Sequence, residues 1–248
     1  MTTTARHKSA DSQLDLPGQT HVAEGPRSLD GMYIMHFGFR RTLDDFVDGV
    51  RRTPSTEAKA WRAMAAYWDG FATALHHHHD IEDVAIWPVL LEHADAEGDA
   101  EGRETLEAME AEHSVIDPSL AACHAGFADM VSHPCEDHRR ALDVRVTALR
   151  EALGQHLRHE ETAALPMVQA TMSAEEWAAS ETYAGESFQQ RSIPFVVGWV
   201  LHELPPEARR RMFAIAGPAY RVLALVLCPR FERLHRRAFR HAAGAPVA

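Results

Sequence analysis

A repeat constrains this chain more than any other feature. HHHHDIEDVAIWP, ending at Pro88, and QHLRHEETAALP, ending at Pro166, both carry His-x-x-x-Glu followed by a proline at the same distance. His78 and His156, Glu82 and Glu160, and Pro88 and Pro166 all stand 78 residues apart (156 − 78, 160 − 82, 166 − 88). A further histidine precedes each motif, His36 by 42 residues (78 − 36) and His113 by 43 (156 − 113). The spacing predicts two similar helical hairpins in tandem. Residues four apart on a helix lie one turn apart on the same face, so His78 with Glu82 and His156 with Glu160 can each grip one ion.

The apolar pattern around these motifs has a helical period. Leu29, Met32, His36, Phe39, Leu43, Phe46 and Val50 step by threes and fours, which puts His36 on the inward face of a first helix. Pro54 and Ser55 end it. The second stripe runs Trp61, Met64, Trp68, Phe71, Leu75, His78, Glu82, Ile86, Val89. A third begins near Arg103 and carries Leu106, Met109, His113, Ile116, Leu120, Cys123 and Phe127. The fourth carries Leu142, Val146, Leu149, Leu153, His156, Glu160, Ala164 and Met167. Nothing in residues 28–172 alternates like a strand. An all-α, up-down-up-down four-helix bundle is the simplest way to bury four such stripes.

The rest of the chain divides into two further parts. Residues 1–27 are polar and punctuated by proline and glycine, which predicts a mobile N-terminal tail. From residue 173 to 248 the composition becomes apolar and arginine-rich, cut by Pro194, Pro205, Pro206, Pro218 and Pro229, which predicts shorter helices packed on the bundle. Between Pro205 and His241 nine arginines stand against Glu207 and Glu232. That ratio suits an acidic partner or an anionic membrane surface, although arginines more often snorkel over packed helices.

Charge and cysteine usage narrow the class. A net charge of −11 excludes a general nucleic-acid binder, which needs a basic surface to displace counterions. Cys123, Cys135 and Cys228 form no CxxC pair, the pattern of a reducing compartment. With no signal-peptide run at the start and no uninterrupted apolar span, the expected localisation is cytoplasmic, with no membrane span. Partner protein and oligomeric state are left open.

Seventeen histidines are the compositional outlier, roughly three times background usage. A lone histidine on an apolar stripe is usually a satisfied core residue. Six imidazole and carboxylate groups in register on four stripes are another matter, because burying them unpaired is costly unless a cation compensates. Mixed imidazole and carboxylate ligation suits iron, manganese or zinc, and two carboxylates able to bridge favour a dinuclear site. In the run His76 to His79, Leu75 and Ile86 select His78 as inward, with His79 beside it. His76, His77, His159, Glu161, Asp80 and Asp83 fall outside the ligand set, as solvated or supporting groups.

The stretches MYIMHFGFRR, HHHHDIEDVAIWP, EAEHSVIDP and HLRHEETAALP resemble, in order, the four ligand segments of the hemerythrin-like, HHE cation-binding family, over about residues 30–170. The C-terminal extension resembles that of actinobacterial-type members. The resemblance implies two non-heme irons, oxo- or hydroxo-bridged, held by His36, His78, Glu82, His113, His156 and Glu160, with the two glutamates bridging. It also implies dioxygen, peroxide or nitric oxide as the small ligand. The possible roles are a diiron oxidase, a peroxide-consuming catalyst, an oxygen or iron sensor, and an iron store.

The sequence departs from the respiratory members of that family at two points. One turn from His113 stand Met109 and Asp117 instead of histidine, and the last helix has HxxxE instead of HxxxxD. One iron is thereby left short of an imidazole, with His79, Asp117, water or an exogenous ligand as the candidates to fill the place. A ferritin-like reading meets only one ExxH, Glu110 with His113, because position 153 is Leu.

Overall fold

The computed structural model describes residues 12–242, which are helical without a strand. Four long helices carry the stripes: α1 (Asp30–Arg52), α2 (Ala58–Ile81), α4 (Ala100–Ser132) and α5 (Glu136–His159). α1 and α4 pack on α5, and α2 packs on α4. Short helices α3 (Trp87–Glu97) and α6 (Leu165–Thr171) prolong α2 and α5. At the end of α3, Gly98 takes a left-handed φ of 69°, and Asp99 then caps α4 by accepting from Gly102 N at 3.0 Å.

The joints between these helices decide the site. Between α2 and α3, and again between α5 and α6, the helix widens into a π-turn, Glu82–Ile86 and Glu160–Ala164. The prolines explain both, since Pro88 and Pro166 follow each turn and a proline ring clashes with the carbonyl four residues back in a regular α-helix. Widening relieves the clash. Each π-turn also adds a residue to the turn, so the inward position afterwards moves by one. The stripes accordingly continue through Leu90 and Val168, fully buried, where a strict α-period predicts Val89 and Met167, which are half-buried.

Residues 12–27 correct the expectation of a mobile tail; residues 1–11, the rest of that tail, lie outside the described residues. Leu14, Leu16 and Ala23 are buried. Gln13 donates to Arg27 O at 2.7 Å and accepts from Leu29 N at 2.9 Å, and Ala23 N donates to the Tyr33 hydroxyl at 2.8 Å. Side chains thus satisfy a backbone that lacks regular structure, and the few apolar residues anchor it.

The extension packs on α1 and α2 through helices of unequal length. Ser173 and Glu176 form a capping box that starts α7 (Ala174–Glu186), and α8 (Ile193–Leu201) follows. Gly38 lets α8 approach α1, since a Cβ there would lie 2.8 Å from the buried Trp199 ring. Trp199 Nε1 donates to Thr42 Oγ1 at 2.7 Å.

α9 (Pro206–Ala238) consists of two helical stretches, 206–216 and 218–238, that meet at a kink at Gly217, φ 76°, directly before Pro218, and the second stretch continues past Pro229. Its C-terminal half docks Phe231 on Tyr67, while Ile215, Val222, Leu225 and Val226 are exposed. An 18-residue window of this helix is apolar enough to cross a membrane by length and composition, and 6% of it is buried. For the arginines the expectation is that they snorkel over a packed helix or pair with the acidic bundle. Arg211 pairs with Asp30 and Glu207, and Arg240 reaches Glu57 at 3.9 Å. The three cysteines are unpaired.

Candidate metal centre

All six sequence-predicted ligands are buried where the four stripes meet. They fall into two groups. His36 from α1, His78 from α2, Glu82 and Glu160 form one; His113 from α4, His156 from α5 and His79 from α2 form the other. In each group the donor atoms lie within 4.8 Å of one another. Donors sharing one ion through bonds of about 2.1 Å stand roughly 3 to 4.5 Å apart, so each group has the dimensions of a single site.

The glutamates connect the groups. Glu82 Oε1 lies 3.0 Å from His78 Nε2, while its Oε2 lies 3.4 Å from His113 Nε2. Glu160 Oε2 lies 3.1 Å from His36 Nε2 and 3.9 Å from His156 Nε2. Despite these short approaches, both oxygens of each glutamate and the Nε2 atoms of His36, His78 and His79 have no hydrogen-bond partner among the described residues. Bringing so many desolvated lone pairs together is repulsive unless a cation sits among them. The donor set therefore fits a pair of cations.

The far nitrogens are braced in a crossed pattern. His36 Nδ1 donates to Glu161 at 2.9 Å, and His113 Nδ1 donates to Asp83 at 2.8 Å. Each brace is the residue after the connecting glutamate of the other half. Glu161 also accepts from Arg40 at 2.8 Å and from Thr20 N at 2.7 Å, so the N-terminal segment helps to hold it. His156 Nδ1 donates to Glu112 at 2.8 Å, and the other oxygen of Glu112 accepts from His159 Nδ1 at 2.9 Å. A carboxylate on Nδ1 fixes the tautomer and leaves the Nε2 lone pair facing inward, the usual support of a metal-binding imidazole.

Electrostatics follow from this packing. Burial opposes a charge on His36, but Glu160 and Glu161 outweigh it and raise its pKa to about 9. Burial is likewise overcome at His113, where Asp83 and Glu82 raise the value to about 10. Burial and the neighbouring imidazoles push His78 well below its ordinary value, and burial lowers His79 to about 4. Burial and the charge of Glu160 push Glu82 up, while His36 overcomes burial to hold Glu160 down. Without a metal the carboxylates draw protons onto two imidazoles; a bound cation would take over that charge.

Of the two additional candidates, the structure brings His79 into the cluster and leaves Asp117 outside it. His79 stacks on His113 with centroids 4.0 Å apart. Asp117 is half exposed beyond it, 3.5 Å from His79 Nδ1 and 3.3 Å from His76 Nδ1. Met109, the inward residue one turn before His113, is fully buried in the core. Glu161, placed by the helical period in the outer class, is also fully buried. The π-turn accounts for it, because the widened backbone turns two successive glutamates inward; the proline six residues after Glu160 was the available sign. Glu112 carried no such sign.

A buried imidazole and carboxylate cluster across four helices defines a metal-binding helical protein. The chain belongs to the hemerythrin HHE cation binding domain family, whose model matches residues 29–168, more than half of its length. The match ends within α6, so α7 to α9 lie beyond it. Neither a curated protein nor a solved structure matches the chain.

Proposed function

We propose that the chain is a non-heme diiron protein that binds or reduces dioxygen, peroxide or nitric oxide inside an up-down-up-down bundle. One observation carries this reading: Glu82 turns one oxygen to His78 at 3.0 Å and the other to His113 at 3.4 Å, the arrangement of a carboxylate shared by two ions. His36 and His78 would hold one iron, and His79, His113 and His156 the other, with Glu82 and Glu160 common to both and an oxo or hydroxo bridge between. Short connections at 53–57, 98–99 and 133–135 support the helix order, and the unpaired cysteines support a reducing, cytoplasmic setting.

A reduced iron pair supplies two electrons to a small oxidant, and the protein's part is to orient, exclude water and manage protons. Phe39 is buried against the His78 ring, with centroids 5.0 Å apart, and shields that side of the centre. Glu161 and Asp83 fix the imidazoles of His36 and His113. The chain His156, Glu112, His159 runs from the interior to a partly exposed imidazole, which gives a proton a hydrogen-bonded route at His156 Nδ1.

Metal analysis of untagged protein from iron-supplemented cells should give about two irons per chain. Stoichiometric single zinc without iron ends the reading. Titrating the reduced protein with dioxygen then separates the roles. Irreversible oxidation with peroxide consumption means catalysis, and a reversible charge-transfer band means a carrier or sensor.

A further inference from the structure

Around the centre the two halves correspond position by position, counted by the offsets 78 (156 − 78) and 77 (113 − 36), and one difference is concentrated at His78. In the second half, His156 is held by Glu112, which in turn holds His159. At the matching positions of the first half stand Met35 for Glu112 (112 − 77) and Ile81 for His159 (159 − 78). A carboxylate and an imidazole are thus replaced by a thioether and an aliphatic chain. Met35 and Ile81 line a cavity of about 240 Å³ that reaches His78.

Bundle and extension build this chamber together. Met32, Met35 and Ile81 form one wall, and Trp177, Ala184 and Phe188 form the other, with the exposed Ser28 and Glu181 at its mouth. A more polar outer pocket adjoins it, lined by Asp80 and Arg191 and sharing His77 and Phe188 with the chamber. His77 meets the Phe188 ring edge-on at 5.2 Å and contacts Ser187 Oγ at 3.1 Å, which fixes this partition.

We propose that the chamber is a binding site for a small apolar organic molecule lying against His78. Size and lining support this occupant. A diatomic gas needs room comparable to one water, about 30 Å³ of liquid volume, so a chamber several times larger is far more than dioxygen or nitric oxide requires. Apolar walls with polar groups at the mouth are the ordinary composition of a small-molecule pocket. The volume suits about ten non-hydrogen atoms, an aromatic or branched aliphatic compound with at most one hydrogen-bonding group. The proposal rests on the diiron reading only for what the occupant lies beside.

Benzyl alcohol is a suitable probe, titrated into the purified full chain by calorimetry and by ligand-observed NMR, with iron content measured on the same sample. Saturable one-to-one binding is expected. Gly31 lines the chamber, and a Cβ added there meets nothing within 4 Å, so Gly31→Leu has room at its first atom to extend into the chamber and should weaken binding about tenfold or more. Ala184→Phe, from the opposite wall, should do the same and covers the case in which Gly31→Leu fails to fold. Gly154→Leu, also open to a side chain but outside the chamber, should bind like the parent.

Absence of saturable binding overturns the proposal, as does binding that either filling variant leaves unchanged. Protein from iron-supplemented cells that carries no iron yet binds the probe, with loss in Gly31→Leu, keeps the chamber and removes the diiron reading. Iron-loaded protein that does not bind the probe removes the chamber alone.

Discussion

The two halves of the bundle start from nearly the same motif and end with different surroundings. In both, a histidine on the preceding helix and a His-x-x-x-Glu at a π-turn deliver two imidazoles and a carboxylate to the centre. The second half then encloses its histidine in polar contacts, with Glu112 and His159 behind His156. The first half sends an additional imidazole, His79, across to the second group and leaves apolar side chains and open volume behind His78. Repetition thus explains the shared frame, and the departures from repetition separate a closed, histidine-rich side from a side that, in the diiron reading proposed above, would exchange ligands. Catalytic metal sites keep such an open position, and structural ones do not.

The largest effects should come from the groups both halves share. Glu82→Ala and Glu160→Ala each remove a carboxylate that faces both groups, so each should lose most of both metals, measured by elemental analysis after gel filtration. His78→Ala should strip metal as well. His76→Ala and His77→Ala should retain it, because these side chains face Asp117 and the outer pocket instead of the centre. Retention of full metal in Glu82→Ala would break the reading that the halves share their ions.

Next come the crossed braces. Asp83→Asn and Glu161→Gln should each weaken metal affinity by about 10- to 100-fold, the usual range for a carboxylate behind a ligating histidine. Glu161→Gln should be the more damaging, since that carboxylate also holds Arg40 and Thr20 N. Equal metal affinity in parent and both variants would show that the ligands are positioned by packing alone.

A smaller effect concerns protons. In the metal-free protein His36 and His113 keep their protons up to about pH 9 and about pH 10. A metal must displace them, together with the proton held on Glu82, which burial and Glu160 push up to about 8, so loading at pH 7 should release about three protons per chain, measured in a pH-stat. All three pKa values are raised, so competition is strongest at low pH: affinity should climb as pH rises towards 10 and then level off. Asp83→Asn removes one of the groups that raise His113 and should reduce the release. A release unchanged by that variant would put the displaced protons elsewhere.

Much of this was legible in the sequence because the chemistry and the helical period coincide. His36, His78, Glu82, His113, His156 and Glu160 sit on apolar stripes, the two His–Glu pairs at i, i+4 spacing, and the helical period brings them inward. What escaped depended on local irregularity or on other segments. Glu161 is buried because a π-turn changes the phase, Leu14 and Leu16 are buried because loop backbone finds side-chain partners, and Glu112 reaches His156 only through the packing of α4 on α5. In the extension, Pro218 reads as a break and does follow a kink at Gly217, whereas Pro229 reads as a break and is carried within a helix.

The smallest expected effect tests which half carries the exchangeable position. From the sequence, Met109 occupies the place where an imidazole is missing, so Met109→His is expected to close a vacant site on the His113 side. The structure supplies that imidazole from α2, with His79 stacked on His113 at 4.0 Å and grouped with His156. The residue matching His79 in the second half is Leu157 (157 − 78), buried and aliphatic, so the His36 and His78 group gains no third imidazole. Met109→His should therefore change azide affinity of the diferric protein by less than about twofold, followed in the near-ultraviolet and visible bands. His79→Leu, which makes the first half like the second, should instead open a second position and raise azide binding to about two per chain or release the iron on that side. Weakened azide binding in Met109→His, with no change in His79→Leu, would return the open position to the third imidazole's side and reverse the assignment of the two halves.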